Sequence, residues 1–274
     1  MPLIPLEDNF DDVINKAQRG LRITDENLAT RAEISLEDLT KVKNGEALHA
    51  VIRRVARHLR LNPDALEALA RKSWYPKIPI IPRGFAAFNT PFEDMTVNSY
   101  LVWDSKTKEA VAFDTGASVE AMLDVIRADR LRLKYIFITH NHPDHIAALS
   151  ELSAAHPQAE IWSHHDEPVD HEGTQYFQEG VHFHVGSLDI KTVLTPGHSP
   201  GQTTFFVSGL SWQLAVIGDS LFASSVGGSP THYQDQLRNN RKKIFTLPLD
   251  PVLAPGHGPL TTLPQETRHN PVFC

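Results

Sequence analysis

The feature that most constrains this chain is a run of four metal-ligating side chains within six residues, directly after an apolar β-type segment. Residues 135–138 lead through Thr139 into His140, His142, Asp144 and His145. Two imidazoles two positions apart can face one metal in an extended loop, and an Asp-His pair that opens the next helix can face a second. Zinc, iron and manganese accept these ligand types. The alternative is a surface loop that is merely rich in histidine.

Three later segments place further ligand-type side chains in tight turns after predicted strands. His198 stands in a Pro-Gly-His-Ser-Pro-Gly turn after residues 192–194, and Asp219 follows the apolar residues 214–217. His257 repeats the Pro-Gly-His arrangement after residues 252–253. Each turn alone is common in proteins. Together with the first cluster, they indicate the remaining ligands of a pair of metals.

Composition narrows the class of protein. With 274 residues, 41% of them apolar and 22% charged, the chain is typical of globular proteins of one or two domains. The formal charge of −7 gives no electrostatic reason to expect nucleic acid or an anionic membrane as a partner. No apolar run approaches a membrane span, so we expect no membrane span, and because residues 1–10 have no basic stretch followed by an apolar run, we expect no secretory signal. A single cysteine, Cys274, excludes intramolecular disulfides, so we expect a cytoplasmic protein.

The chain has two regions that differ in their pattern of apolar residues. Residues 1–75 have apolar positions at helical spacing only, with Thr24 and Ser35 as expected N-caps and Asn62 before Pro63 at the start of the last helix. A stiff junction with prolines follows, at positions 76, 79, 82 and 91. Residues 76–274 mix short β-type runs with helical ones, which predicts a layered α/β domain after a small all-α domain.

The helical region contains a segment, residues 28–45, that resembles the helix-turn-helix core of lambda-repressor-like domains. The stretch in the recognition-helix position, residues 35–41, carries Glu37 and Asp38, where a DNA reader usually offers Arg, Gln or Asn. Residues 1–75 hold 12 Lys plus Arg against 12 Asp plus Glu, so they lack the basic excess of a phosphate-binding surface. We therefore expect a structural or self-association role, including homo-oligomer formation, and no nucleic-acid partner.

From about residue 80 onward there are five ligand motifs: the His140–His142 pair, the Asp144–His145 pair, and the single ligands His198, Asp219 and His257. They occur in the order in which the metallo-β-lactamase-fold hydrolases carry them. The chain resembles that family, and within it the glyoxalase II group and its short bacterial relatives. Residues 97–100, 114–116 and 266–271 add to the resemblance. It implies a four-layer αβ/βα sandwich with the site at the strand ends, along one edge of the two sheets.

The resemblance also implies the ligand set. His140, His142 and His198 would bind one metal, Asp144, His145 and His257 the other, and Asp219 would bridge them. The metals would be two divalent ions, zinc first and iron or manganese as alternatives, which lower the pKa of a shared water from about 15.7 toward 7. Asp144 would also orient the nucleophile. Two predictions concern side chains around this set: Asp114 either hydrogen-bonds a ligand imidazole or caps a turn, and four other histidines stay outside the site, namely His164, His165, His182 and His184.

The implied reaction is hydrolysis of a small-molecule thioester, as in hydroxyacylglutathione hydrolases. The sequence departs from the short bacterial relatives at Gly228, where they carry a cation; Tyr233, Arg238, Arg241 and Lys242 follow as candidates to replace it. No substrate-binding residue is assigned. Two alternatives stay open: a persulfide dioxygenase of the same fold, with one iron at His140, His198 and Asp219, and a nonenzymatic metal-binding regulator that uses the helical region.

Overall fold

The computed structural model describes residues 3–77 and 83–274. Residues 3–77 contain five helices: α1 (Phe10–Gly20), α2 (Asp25–Ala32), α3 (Leu36–Lys43), α4 (His49–His58) and α5 (Pro63–Ala70). We call these helices the helical module. The three predicted helix starts are confirmed, because the side chains of Thr24, Ser35 and Asn62 each accept a backbone N–H of the first turn.

Residues 83–274 fold into two six-stranded sheets. The first contains β1 (Phe85–Phe92), β2 (Met95–Trp103), β3 (Glu109–Phe113), β4 (Arg132–Phe137), β5 (Glu160–His164) and β6 (Gln175–Phe177), in chain order. The second runs in the order β12, β11, β10, β9, β8, β7, with ranges β7 (His182–Val185), β8 (Leu188–Leu194), β9 (Thr203–Ser208), β10 (Leu214–Gly218), β11 (Val252–Pro255) and β12 (Thr261–Thr262). Parallel pairing joins β3 through β6 in the first sheet and β10 with β11 in the second.

The sheets face each other across an apolar core and carry helices on their outer faces. Between them, the rings of Phe113 and Phe137 pack on Phe205 at 5.3 and 5.0 Å between centroids. The first sheet is covered by α6 (Glu120–Asp129) and α8 (Leu149–Ala155), while the short α7 (Pro143–Ile146) follows β4. The second is covered by α9 (Tyr233–Asn239), a π-helical turn (Asn240–Ile244), α10 (Leu263–His269) and the helical module. The predicted αβ/βα sandwich with helices before it is confirmed.

The helical module shares one apolar cluster with the second sheet. Ile14 and Leu66 of the module belong to the same buried cluster as Ile217 and Leu253 of the sheet. The backbone N–H of Asn62 also donates to the carbonyl of Pro271, at 2.7 Å. The module is therefore the outer layer of the second sheet. The predicted domain boundary at residues 75–76 stays a prediction.

Several elements differ from the sequence expectation or extend it. The sequence patterns did not mark β1, β5, β6, α9 or α10. Pro91 was expected in a stiff junction, and this was wrong: it lies in β1, an edge strand, where a residue without an N–H is tolerated. Pro79 and Pro82 of that junction lie outside the described residues. Within residues 3–77 and 83–274, no helix is long and apolar enough to cross a membrane; the cytoplasmic location stays a prediction.

Candidate metal centre

All seven predicted ligands lie at one end of the sandwich. Their elements explain this placement, because the carboxyl ends of the parallel strands β4, β10 and β11 meet at one edge. The placements are as follows: His140 and His142 after β4, Asp144 and His145 in α7, His198 between β8 and β9, Asp219 directly after β10, and His257 after β11.

One group of ligand atoms surrounds His142. Its Nδ1 lies 3.1 Å from Nε2 of His140 and 3.0 Å from Nε2 of His198. A tetrahedral metal with metal–nitrogen distances of about 2.0–2.1 Å separates its ligand nitrogens by about 3.3 Å. These two distances are close to that spacing, and all three nitrogens lie within 4.8 Å of one another, so they could be ligands of a single cation.

A second group lies beside the first, and Asp219 joins the two. Asp144 Oδ2 is 3.4 Å from His145 Nε2 and 3.2 Å from His257 Nε2. Asp219 Oδ1 is 3.4 Å from the same nitrogen of His145, while its Oδ2 is 3.4 Å from Nε2 of His198. One carboxylate thus faces both groups, which is the position required of a bridging ligand.

The nitrogens that point away from the centre are held by the surrounding protein. The Nδ1–H donated outward fixes the orientation of each ring, so Nε2 of these histidines is the atom directed inward. The four contacts of the outward Nδ1 atoms are His140 to Thr139 Oγ1 (3.0 Å), His145 to Asp114 Oδ2 (2.8 Å), His198 to the Gly228 carbonyl (2.8 Å) and His257 to the Thr96 carbonyl (2.7 Å). Asp114 thus contacts a ligand imidazole, one of the two roles expected for it.

Two inward atoms test whether a cation fits. Within the described residues, His145 Nε2 and Asp219 Oδ1 are buried without any hydrogen-bond partner. His145 is fully buried and Asp219 is 5% exposed. An unsatisfied buried polar group costs about 1–3 kcal/mol. Both atoms are good metal ligands and both face the same space, so the residues present fit divalent metal.

The electrostatics of the metal-free centre agree with this. Burial lowers the pKa of His140 and His198, which keeps both imidazoles neutral. Burial opposes charge on His145 and His257 as well, but nearby carboxylates outweigh it. Asp114 above all raises the pKa of His145 to about 10, and Asp219 above all raises that of His257 to about 11. A divalent cation would take the place of those two protons, so metal binding would release protons.

Two glycines explain why backbone can approach the centre so closely. A Cβ on Gly256 would lie 2.1 Å from Asp219 Oδ1, and one on Gly227 would lie 2.0 Å from the Asp219 carbonyl oxygen. Both distances are far inside van der Waals contact, so neither position accepts a side chain without a shift. The glycine before His257 is therefore a packing requirement of the bridging carboxylate.

The other histidines do not join these groups. His164, His165 and Asp166 form a separate cluster, in which His164 Nδ1 accepts the backbone N–H of Asp166 and the side chain of His165 is 70% exposed. His182 and His184 both pair with Asp189 on the surface.

A cleft of about 570 Å³ opens beside His198. Its lining includes Arg238 and His232, while Ser199 contributes a hydroxyl that is buried without a partner among the described residues. Of the four downstream candidates for a substrate contact, Arg238 alone is in this lining. Tyr233 is buried against α1 instead, and Arg241 donates to the carbonyl of Val272.

Sequence reasoning missed the residues that hold the loop after β10. The Gln236 side chain donates to the Gly227 carbonyl at 3.1 Å, and Glu266 accepts the backbone N–H of Ser224 at 3.0 Å. The Asn270 side chain donates to the Ser225 carbonyl at 3.0 Å. A signal existed for Glu266 and Asn270, which belong to the C-terminal segment that supported the family resemblance. Gln236 lies in a helix that no sequence pattern marked.

Comparison with known proteins agrees with the geometry. The family model described as "Metallo-beta-lactamase superfamily" matches residues 93–257, more than half of the chain. Hydroxyacylglutathione hydrolase GloC of Haemophilus influenzae is 28% identical over 197 residues, which span 64% of this chain and 91% of that protein.

Two solved structures are similar in fold and show 25–26% sequence identity. ETHE1 from Myxococcus xanthus has a TM-score of 0.59 at 25% identity, covering 69% of this chain and 84% of its own. TTHA1623, solved in a di-iron-bound form, has a TM-score of 0.54 at 26% identity, covering 67% of this chain and 98% of its own.

Proposed function

The chain belongs to the metallo-beta-lactamase superfamily, and on that premise we propose that it is a binuclear metal-dependent hydrolase of a small-molecule thioester. The observation that carries the proposal is the pair of ligand groups that share Asp219. The name of the Haemophilus relative supports hydrolysis of an acylglutathione, and the di-iron form of the TTHA1623 protein supports two metals.

Each residue of the centre has a role in this proposal. His140, His142 and His198 would hold one cation, Asp144, His145 and His257 the other, and Asp219 would be shared; zinc is the first choice, with iron or manganese as alternatives. Such cations would supply Lewis acidity and lower the pKa of water toward neutral pH. Asp144 would accept a hydrogen bond from the attacking water and so orient it toward the substrate carbonyl.

The cleft beside His198 is proposed to hold the part of the substrate remote from the thioester. Arg238 and His232 line it, and both pair with Asp235 of the same wall, so a substrate carboxylate would take the place of Asp235 as their partner. Gly228, at the cleft side of the centre, has no atom within 4 Å of where a Cβ would stand, so the position of the missing cation is open space. A glutathione carboxylate would therefore need a cation from elsewhere in the chain.

A persulfide dioxygenase with one iron is the second candidate, and the similarity to ETHE1 favours it. It would use His140, His198 and Asp219. The group of Asp144, His145 and His257 would then have no function, although its ligand atoms lie within coordinating distance of one another and His145 Nε2 is unsatisfied among the described residues. This favours the hydrolase.

The deciding experiment is metal analysis of the purified protein combined with turnover of S-lactoylglutathione and of a thioester without glutathione. We expect two equivalents of zinc, iron or manganese and hydrolysis of at least one thioester. One equivalent of iron with oxygen consumption on a persulfide would overturn the proposal in favour of the dioxygenase.

A pair of variants at one position tests the substrate. Gly228→Arg puts a cation into the open space, and we expect KM for S-lactoylglutathione to fall about tenfold, which corresponds to one favourable charge-assisted contact. Gly228→Ala is the control and leaves KM unchanged. Equal values of KM in both variants would show that glutathione carboxylates do not bind on this side.

The helical module is proposed to have a structural role in the enzyme or to pair its subunits. The remaining alternative is that the protein is a nonenzymatic regulator. DNA binding by the full chain, measured at two salt concentrations, would support a regulator. We expect none, because the recognition-position residues Glu37 and Asp38 are acidic.

A further inference from the structure

Lys16 of α1 extends from the helical module to the loop after β10. Its Nζ lies 2.5 Å from Oδ2 of Asp8 and 3.0 Å from the carbonyl oxygen of Val226, and it stands over the Phe222 ring at 5.3 Å from the centroid. An ammonium group has three donors. Here they meet a carboxylate, a backbone carbonyl and an aromatic face, so its hydrogen-bonding capacity is used.

The loop that Lys16 contacts, residues 220–228, touches one histidine of each ligand group. The Phe222 ring packs edge-on against His257, with 5.5 Å between centroids, and the Gly228 carbonyl accepts from His198 Nδ1 at 2.8 Å. Val226 lies between these two contacts in the sequence. A displacement of the loop would therefore change the orientation of both imidazoles.

The Lys16 contact is more buried than a surface ion pair, so removal of one partner would leave the other charge buried and uncompensated. The side chains of Lys16 and Asp8 are 17% and 7% exposed, whereas exposed pairs contribute about 0–1 kcal/mol. A second ion pair of the module serves as a comparison: Lys43 Nζ is 2.6 Å from Asp25 Oδ1, with side chains 23% and 44% exposed. Lys43 and Asp25 join α3 to α2 within the module, away from residues 220–228.

We propose that Lys16 is a positioning residue for the metal centre: it fixes the loop of residues 220–228 and, through Phe222 and Gly228, the directions of His257 and His198. The helical module is then a part of the active site. This inference rests on the proposed binding of two metals, but not on the identity of the substrate.

The test compares three variants of the full chain by zinc affinity, measured in competition with a chromogenic chelator. Lys16→Met removes the contact to Val226. Asp8→Asn combined with Lys16→Met removes it without leaving a buried carboxylate unpaired, and Lys43→Met is the matched control. Urea unfolding of chelator-treated protein reports the stability of each variant separately from its metal affinity.

Loss of a side chain that supports metal ligands typically costs 10–100-fold in metal affinity, and Lys16 acts one contact further away. We expect about tenfold weaker zinc binding in both variants that lack Lys16, with Lys43→Met equal to wild type. Equal affinity in all proteins, an equal loss in Lys43→Met, or full recovery in the double variant would overturn the inference. If the wild type itself binds no metal, the proposed function fails instead.

Discussion

Two histidine-rich segments follow neighbouring parallel strands of the same sheet, and they differ in burial and in hydrogen bonding. The first, residues 140–145, follows β4; the second, residues 164–166, stands at the end of β5. His140 and His145 are fully buried and hydrogen-bonded on their outward side to Thr139 and Asp114. In the second segment the side chain of His165 is 70% exposed and pairs only with the adjacent Asp166 among the described residues.

The difference lies in the partners that come from elsewhere in the chain. The second sheet brings three further side chains to the first segment: His198, Asp219 and His257. The outward nitrogens of the two histidines are held by backbone carbonyls, and Asp219 faces His145. The second segment receives no such ligand among the described residues. We therefore expect metal to bind where buried, pre-oriented donors come from several strands, and histidine density alone to be insufficient.

The largest effect is expected when Asp219, the carboxylate that lies between the two ligand groups, is removed. Asp219→Ala leaves the inward imidazoles without their shared counter-charge, and we expect hydrolysis to fall at least ~10³-fold, out of the 10⁶-fold or larger acceleration typical of enzymes. Metal content should fall below two equivalents. Asp166→Ala, the carboxylate of the second segment, should leave both measurements at wild-type values. Comparable losses in the two variants would contradict the distinction.

A smaller effect is expected where a carboxylate only orients a ligand. Asp114→Ala frees Nδ1 of His145, so zinc affinity should fall about 10–100-fold while most activity returns at excess zinc. Asp189→Ala is the control, because Asp189 makes the same kind of contact to the exposed His182 at 3.0 Å. Chelator competition measures both variants. Unchanged affinity in Asp114→Ala would assign that carboxylate to turn capping alone.

Adjacent glycines of the loop offer a contrast in packing. Gly227→Ala would bring a Cβ to 2.0 Å from the Asp219 carbonyl oxygen, whereas Gly228→Ala meets no atom within 4 Å. We expect a loss of about 1–3 kcal/mol in the free energy of unfolding for Gly227→Ala and a change within ~0.5 kcal/mol for Gly228→Ala. Urea unfolding distinguishes them. Equal stabilities would mean that the loop shifts freely and does not constrain the centre.

A stability effect that depends on pH is expected at the far side of this loop. Burial raises the pKa of Glu266 to about 7, from 4.5 for the free side chain. The folded state thus binds the proton more tightly, and this contribution to stability is complete below pH 4.5 and lost as the pH rises through 7. The free energy of unfolding should fall by at most about 3 kcal/mol over that range.

Glu266→Gln imitates the protonated side chain and should remove this pH dependence. Urea midpoints of both proteins at pH 5, 6 and 7.5, measured with chelator so that the metal ligands contribute equally, provide the comparison. A parallel decline in the two proteins would refute the role of Glu266.

Much of the site could be predicted from the sequence because its signals are local. Thr24 and Ser35 cap helices within three residues of themselves, and His140 to His145 lie in one short run. The contacts that support the centre are of another kind. His198 is held by a backbone carbonyl, which any residue could supply, and Lys16 meets Val226 across 210 positions of sequence. No pattern in a single sequence marks such pairs.

The strands that the sequence did not mark have a related explanation. In β1 most positions are half-buried because the strand lies at a sheet edge, and its two polar residues, Asn89 and Thr90, are adjacent. A period of two is clear only where one face is buried and the other exposed. The strand is therefore defined by its pairing with β2.

The apolar cluster shared by the helical module and the second sheet also has a consequence for synthesis. The module leaves the ribosome first, yet the sheet residues that cover its apolar side, such as Ala215 and Leu253, lie more than 140 positions later. At 5–20 residues per second, the nascent helices wait roughly 7–30 s for those partners. During that interval Leu66 and its neighbours lack the sheet residues that cover them in the folded protein, and they are accessible to chaperones and to other nascent chains.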